Sequence, residues 1–581
     1  MVAWTVANMG GEVPKMDPRL LGPAQAAEAW NVDTESGPLD GLSELVAIKD
    51  MRSVPGTIAR AYRIPGPQAT DGEVWLPLPS PFSSAVRSPL VNDSLHRVYW
   101  TNPDDGAYWS TYARIRDGLT PYNLGFRPPD PANLVSCTTS GGTAPNVVPY
   151  IGRSYLYTFV DEYGLESGPS APSAVVEGAS DGNWFVRFNY TLPPADGKTY
   201  PLTASIRLYR TVSGQGTGAQ FYRVKDVPID PDALFYYFED SVLDKIVVYN
   251  LPLESTGWLP PPDKLDGLTV MPGGYFVGFT DNTLHFCEPD RPHAWPAAYD
   301  VAVQYKIVGL GVWNQTLMVL TQGYPSSGTG NTPGAFTLAQ VQVAEPCIAR
   351  GSIVTDLLGV YYASQNGLVM LSYYGLQNQT LATMTKNLWL SKFRAREIIA
   401  CRHRNQYLAL NAPGAGFMID YSEQRLGVVQ LDMANGATCI WNDIHTGDAY
   451  VMANKMVYRW DTPDAPPMAW RWKSKLFVLA KSGNLGACQV TAGPEILTRI
   501  RSTISTDAQY SAIDIPWEVN LVFRLYADGR MVWERSLYEV FNEFRLPSGF
   551  KAFEYQFELM SRVPVFRVEI GSVMKELRGA S

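Results

Sequence analysis

The sequence has little charge and few of the side chains that bind metals. Charged residues make up 18% of the 581-residue chain, which contains five histidines and six cysteines. The cysteines are scattered, with no Cys-x-x-Cys pair, which argues against both a disulfide framework and a zinc ribbon. We expect reduced thiols in a protein that is assembled in the cytoplasm.

Long apolar runs and an excess of basic residues are also missing. No run approaches the roughly 18 apolar residues of a membrane span, and the N-terminus has no basic region followed by an apolar core, so we predict neither a span nor a signal peptide. Lys and Arg number 47 against 56 Asp and Glu, a formal charge of −9. This balance disfavours tight binding of nucleic acid through its phosphates, and any contact with DNA is expected to be loose.

Aromatic and turn-forming residues are abundant instead. Aromatics reach 12% of the chain, which also contains 49 Gly and 44 Pro. Helical periodicity is scarce, and the clearest predicted helix covers residues 23–30, where Pro23 precedes good helix formers. At about 150 residues per domain, the length corresponds to about four domains. The sequence therefore predicts an all-β multidomain protein.

Apolar strand starts recur at a regular spacing in the second half of the chain. They lie near Leu268, Ile307, Ile353, Ile398 and Ala437, with gaps of 39, 46, 45 and 39 residues. A period of 40 to 45 residues without intervening helices is typical of four-stranded propeller blades. The spacing predicts a β-propeller, and tandem β-sandwiches are the alternative.

The strand pattern divides the chain into five parts. About 100 residues with strands separated by Pro- and Gly-rich turns are typical of an inserted sandwich of the immunoglobulin or fibronectin type III kind. We predict an N-terminal platform segment at 1–85, a first propeller segment at 86–149, the inserted fibronectin III-like β-sandwich at 150–255, propeller blades at 256–469 and a C-terminal β platform domain at 470–581.

Two weak patterns in the sequence are candidates for a functional site, one for zinc binding and one for glycoside hydrolysis. His285 with Cys287 and Cys401 with His403 each lie on one face of a predicted strand and together could supply four zinc ligands, but half-buried strand residues without a metal are the favoured interpretation. Residues 62–65 are similar to the arginine motif of sialidases, and residues 102–109 to one Asp-box turn of that family. The Asp-box turn is a structural motif and carries no catalytic residues. We therefore predict that the protein is not an enzyme, and we predict no catalytic, cofactor-binding or metal-binding residues and no cofactor.

Several segments along the chain share a resemblance to known proteins. They are residues 9–14, 17–21, 24–31 and 88–101 at the start, 157–170 and 207–211 in the insert, and 544–550 and 573–577 at the end. The segments at the start resemble the opening of tail nozzle proteins of short-tailed phages, the hub or tail tubular B type, and those in the insert and at the end are similar to the corresponding parts of that family.

The resemblance implies a structural protein of the virion tail. Such proteins form a ring, usually of six copies, below the head-to-tail adaptor, close the tail, and pass viral DNA during ejection, with tail fibres or spikes attached near that junction. An acidic lumen would let DNA slide rather than bind tightly. A propeller-based glycan-binding or glycan-hydrolysing tail component is the alternative.

Ring closure joins two different surfaces of neighbouring copies. Apolar side chains of the terminal domain are candidates for that contact, and ordinary core packing within the domain is the alternative. These side chains are Phe553, Tyr555, Phe557 and Leu559.

Overall fold

A computed structural model of the chain shows an all-β multidomain protein. Almost every regular element is a β-strand, and no described helix is long and apolar enough to cross a membrane. The structure describes residues 3–35, 37–68, 70–133, 135–143, 147–189, 198–212, 220–230, 232–233, 235–420, 427–496 and 521–577.

The first fifty residues supply strands to three distant sheets as well as one local pair. β1 pairs with a strand near the C-terminus, β2 joins a long sheet, β3 pairs with β4, and β5 is the outer strand of the last propeller sheet. The strands are β1 (Ala3–Ala7), β2 (Ala26–Trp30), β3 (Val32–Asp33), β4 (Asp40–Gly41) and β5 (Val46–Asp50).

The predicted helix at 23–30 is wrong, because Ala26–Trp30 forms strand β2. Ala29 pairs with Trp472 of a later strand and is fully buried. A two-turn helix has little stability of its own, so sheet hydrogen bonds and core packing decide the conformation of this segment.

The next strands form a hairpin and the first four-stranded sheet. β6 pairs with β7, and β8 to β11 follow in order across the sheet, with one short helix after β10. The bounds are β6 (Arg60–Ile64), β7 (Val74–Leu78), β8 (Ser84–Arg87), β9 (Val98–Asn102), β10 (Gly106–Ser110), α1 (Tyr112–Arg116) and β11 (Tyr122–Asn123).

A β-sandwich is inserted after this sheet. Its two three-stranded sheets have the orders β12-β16-β19 and β14-β17-β18, and β13 pairs with β15. The bounds are β12 (Val135–Ser140), β13 (Tyr150–Arg153), β14 (Tyr155–Asp161), β15 (Val176–Ala179), β16 (Asn183–Asn189), β17 (Thr203–Thr211), β18 (Phe221–Pro228), β19 (Phe235–Asp240) and α2 (Asp244–Val247).

Five further sheets follow, each led by a strand at or within two residues of a predicted start. The bounds are β20 (Asp266–Met271), β21 (Tyr275–Thr280), β22 (Thr283–Phe286), β23 (Val301–Ala302); β24 (Ile307–Trp313), β25 (Thr316–Thr321), β26 (Ser326–Thr329), β27 (Thr337–Gln340); β28 (Val354–Thr355), β29 (Val360–Ser364), β30 (Gly367–Ser372), β31 (Gly375–Asn378), α3 (Lys386–Ser391); β32 (Ile399–His403), β33 (Gln406–Ala412), β34 (Ala415–Asp420), β35 (Val428–Asp432); β36 (Ala437–Asn442), β37 (Ala449–Ala453) and β38 (Met456–Arg459). Short 3₁₀ helices lie at Ala297–Tyr299, Pro333–Ala335 and Arg350–Ser352.

The six four-stranded sheets have a propeller-like arrangement. The first strand of each sheet contacts the first strand of the next, from β8 through β20, β24, β28 and β32 to β36. The β6–β7 hairpin contacts β36 on one side and shares an apolar core with the β8–β11 sheet on the other. Each sheet is therefore in contact with the next, and the β6–β7 hairpin lies between the last sheet and the first.

Both ends of the chain build the remaining domain. One sheet has the order β1-β46-β41-β44, and the other continues the β32–β35 sheet through β2 to β39, β45, β42 and β43, with β40 also on β45. A shared core lies between them. The bounds are β39 (Trp470–Ser474), β40 (Phe477–Gly483), β41 (Ala487–Ala492), β42 (Leu521–Ala527), β43 (Arg530–Leu537), β44 (Phe541–Arg545), β45 (Ala552–Ser561), β46 (Val565–Gly571) and α4 (Met574–Leu577).

Two domain boundaries differ from the sequence prediction. The sandwich begins at β12, upstream of residue 150, because β12 pairs along its whole length with β16. Strands β5 to β7 lie within 1–85 but pack in the propeller rather than in the terminal domain. Both differences arise from pairing between residues that are distant in sequence, which local patterns do not encode.

Candidate functional site

The inner strands of the propeller surround one cavity of about 340 Å³. Because each inner strand runs along the axis, alternate side chains point into this space. Arg60 of the β6–β7 hairpin also lines it. Each of the six sheets contributes to the lining, which includes Ser84, Thr269, Leu310, Thr355, Cys401 and Asn442.

Arg350 is one of two arginines at the cavity and is held by a carboxylate. Its guanidinium makes a two-pronged ion pair with Asp266, with Nη2 2.7 Å from Oδ1, and Nη2 also donates to the backbone oxygen of Phe82 at 3.1 Å. The rings of Phe82 and Phe279 lie within 6 Å of the same guanidinium. Arg350 is therefore fixed in place and its charge is balanced.

Arg60 is the second arginine and has no carboxylate partner in the described part of the chain. Its Nη1 donates to the backbone oxygen of Ser83 at 3.0 Å, while its Nε is buried without a hydrogen-bond partner. Burial lowers the pKa of this guanidinium, and the positive charge of Arg350 acts in the same direction. Arg60 thus brings an uncompensated positive charge to the cavity.

Cys401 and Cys439 lie near this arginine as buried thiols. Burial raises the pKa of both, that of Cys439 to about 11, so both remain protonated at neutral pH. Neither thiolate is available to balance the charge of Arg60.

The two His/Cys pairs do not form a zinc site. The ring nitrogens of His285 lie 2.7 Å from the Thr280 hydroxyl and 2.8 Å from Asp300, and Nε2 of His403 lies 2.9 Å from Asp461. Cys287 and Cys401 belong to different apolar cores. Across the described residues, no group of three or more His, Cys, Asp or Glu side chains is placed to hold a metal ion.

The residues that resemble sialidase motifs have structural contacts. Arg63 donates from Nε to Glu73 at 2.6 Å and from Nη1 to Asp443 at 2.8 Å. Residues 102–109 form the β9–β10 hairpin, in which the Asn102 amide donates to Asp105 at 3.2 Å. The two contacts of Arg63 join β6 to the segment before β7 and to the last propeller sheet. The hydrogen bond between Asn102 and Asp105 stabilises the β9–β10 turn.

The inserted sandwich carries an exposed apolar segment, residues 243–251. The segment includes Ile246, Tyr249 and Leu251, which are 52%, 89% and 66% exposed. Its backbone is fixed, because Asn250 donates to the backbone oxygen of Arg223 and the Arg223 amide donates to that of Leu251. Large apolar side chains on fixed backbone are typical of protein contact sites.

A second apolar surface, the β28–β31 turn patch, lies at one end of the third sheet after the insert. Alternate turns of an antiparallel sheet lie at the same end, which brings the turns after β28 and β30 together. Leu357, Leu358, Tyr373 and Tyr374 in these turns are all at least 59% exposed. The patch lies on a different domain from the 243–251 segment.

Three of the four aromatic and aliphatic residues considered for ring contact are core residues. Tyr555, Phe557 and Leu559 are at most 1% exposed and pack between the two sheets of the terminal domain. Phe553, near the start of the same strand, is 54% exposed. Only Phe553 of this set remains available for contact with another chain.

His293 connects the sandwich to the propeller. Its Nε2 lies 3.0 Å from the backbone oxygen of Glu166, and its ring meets Trp258 edge-on. Burial lowers the pKa of the imidazole from 6.5 to about 4, so the ring is neutral at pH 7. Because a carbonyl oxygen only accepts, Nε2 carries the proton and donates it.

Comparison with known proteins shows no shared family. No protein-family model matches the chain, and no curated protein matches it. Among solved structures, the chain is similar to Raptor of Chaetomium thermophilum (TM-score 0.29, 9% identity, 73% of this chain and 30% of that chain), to the Pan2 WD40 domain of Neurospora crassa (0.25, 10%, 59% and 99%) and to PorZ of Porphyromonas gingivalis (0.23, 12%, 65% and 46%). At these TM-scores and identities the likenesses carry no functional argument.

Proposed function

We propose that the chain is the structural subunit of a tail nozzle in a short-tailed phage virion. Six copies form a ring below the head-to-tail adaptor, close the tail, and conduct DNA during ejection. The observation that carries the proposal is the terminal domain, in which β1 pairs with β46 and β2 with β39. A domain built from both ends, a propeller and an inserted sandwich is the organisation that the sequence resemblance implies.

The two exposed apolar surfaces support ring formation. A ring needs two different surfaces on each copy, since every contact in it is heterologous. The 243–251 segment and the β28–β31 turn patch are separate and lie on different domains. In the proposed ring they contribute to the two sides of the subunit contact, while the terminal domain meets the adaptor.

The charge of the chain suits a conduit. Six copies at −9 each carry a formal charge of −54. Negative charge along a channel repels phosphates and keeps DNA from adhering. Fibres or spikes are further partners in this proposal.

Mass photometry of the full chain, alone and with its adaptor, tests the proposal. We expect a six-copy species with adaptor and less of it for Tyr249→Ser, because the variant removes the most exposed aromatic of the 243–251 segment. Tyr237→Ser, another exposed tyrosine of the sandwich, is the matched control and should assemble like the wild type. A chain that stays monomeric with adaptor at every concentration contradicts the proposal.

A further inference from the structure

We propose that the propeller cavity binds a small oxyanion of the phosphate or sulfate class, held by Arg60 and Arg350. This site is independent of the nozzle role, since it lies within one chain and needs no neighbouring copy. The argument rests on the charges, the free donors and the size of the cavity.

The charge balance of the cavity is positive. Arg60 and Arg350 both line it, and no Asp or Glu is among the described residues that do so. The nearest carboxylate, Asp266, is occupied by Arg350 through both of its oxygens. Burying an unpaired charge is strongly unfavourable, and an anion between the two guanidinium groups would balance it.

The free donors fit an oxyanion. Arg60 has five N–H groups. One of them, on Nη1, donates to the backbone oxygen of Ser83, and the N–H of Nε has no acceptor within the described residues. Guanidinium groups bind phosphate and sulfate through paired N–H donors. Ser84, Thr269 and Thr355 also line the cavity, and residues of this type carry a hydroxyl that can donate a hydrogen bond.

The cavity is large enough for such a ligand. Its volume of about 340 Å³ corresponds to about ten water molecules at about 30 Å³ each. A tetrahedral oxyanion with a few waters fits this space, whereas water alone would leave the charge of Arg60 unbalanced.

Titration of the full chain with inorganic phosphate tests the site. Chloride is exchanged for phosphate at constant ionic strength, and binding is followed by calorimetry. We expect one site per chain in the wild type, and an affinity about 10- to 100-fold weaker in Arg60→Met, the range for loss of charged hydrogen bonds. The control is Arg116→Met, which removes an exposed arginine paired with Asp117 and should leave the affinity unchanged.

Equal phosphate affinity in Arg60→Met and wild type, or no binding in the wild type, overturns the proposal. A crystal structure of the wild type with selenate gives a second readout that does not depend on how the variant folds. We expect anomalous density between Arg60 and Arg350. Full-occupancy selenate elsewhere, with none in the cavity, also overturns the proposal.

Discussion

Protonation of His293 should loosen the junction between the sandwich and the propeller. The folded junction holds a neutral ring with a pKa of about 4, while an exposed histidine titrates near 6.5. Between these values the opened junction binds more protons than the closed one. The contribution of His293 to the stability of the junction therefore rises with pH across this window and is lost on acidification. From pH 7 to 5 the loss from this histidine alone is about 1.8 kcal/mol, at up to about 1.36 kcal/mol per pH unit inside the window.

Asp161 lies at the start of the turn that leads to Glu166, the residue that His293 contacts, and its titration opposes this effect. Burial raises the pKa of its carboxyl from 3.8 to about 6, although it accepts backbone N–H groups from Tyr163 and Leu165. Its folded pKa lies above the unfolded one, so its contribution is fully present below pH 3.8 and is lost as pH rises through 6. From pH 7 to 5 acidification returns about 1.3 kcal/mol. The wild-type junction is thus nearly insensitive to pH, because the two groups compensate.

The variant His293→Gln separates the two effects. It leaves Asp161 as the dominant titrating group, so we expect the variant junction to become more stable between pH 6 and 5. Hydrogen exchange of the full chain, corrected for intrinsic rates, measures junction opening in peptides of β14 and residues 161–168, and peptides of β42 are the internal reference. The ratio of the opening constant at pH 5 to that at pH 7 should be about 20-fold lower in the variant than in the wild type, which corresponds to about 1.8 kcal/mol. The same pH dependence in both proteins would refute the reasoning.

Three further predictions concern the sandwich and DNA. Asp240→Asn removes one of the two carboxylates that pair with buried Arg210 and Arg153; Asp240 lies 2.8 and 3.5 Å from them, and Asp244 remains as the second partner. Exchange in β17 should therefore report a loss of about 1.5–3 kcal/mol. Exposed Asp181→Asn is the control, and equal effects would contradict the assignment. Gly168→Ala places a methyl group against the Trp258 backbone oxygen, so limited proteolysis near that junction should accelerate, and cleavage at the wild-type rate would count against it. Gel retardation at 150 mM salt should give a dissociation constant for duplex DNA no tighter than the non-specific range of about 10⁻⁶–10⁻⁴ M, and nanomolar binding is incompatible with a free conduit.

The five propeller sheets after the insert could be predicted from sequence because an apolar residue recurs at or near the start of each, at a regular spacing. The predicted starts at Ile307 and Ala437 are the first residues of β24 and β36. The strand β12 was not predicted, since its Ser and Thr residues alternate with few apolar ones and its position is set by pairing with β16. The apolar run at 519–526 also predicts a strand. Residues 519 and 520 lie outside the described residues, and 521–526 belong to β42.

The cavity arginines could not be found from sequence. Arg60 and Arg350 are separated by 290 positions, and neither lies in a motif with fixed spacing. Both line the same cavity, because Arg60 lies in β6 beside the first sheet and Arg350 lies in the short 3₁₀ helix before β28. The pairing of β5 with β38 is hidden for the same reason, since it joins residues about 400 positions apart. Such contacts depend on the whole fold rather than on local preference.

Cryo-electron microscopy of the intact virion tests the proposed function most directly. The account predicts six copies of this chain in a ring immediately below the adaptor, with the terminal domains toward the adaptor, the propellers outside, and an open path for DNA along the axis. A tail in which this chain is missing from that ring, or occurs only as single copies on fibres, would contradict it.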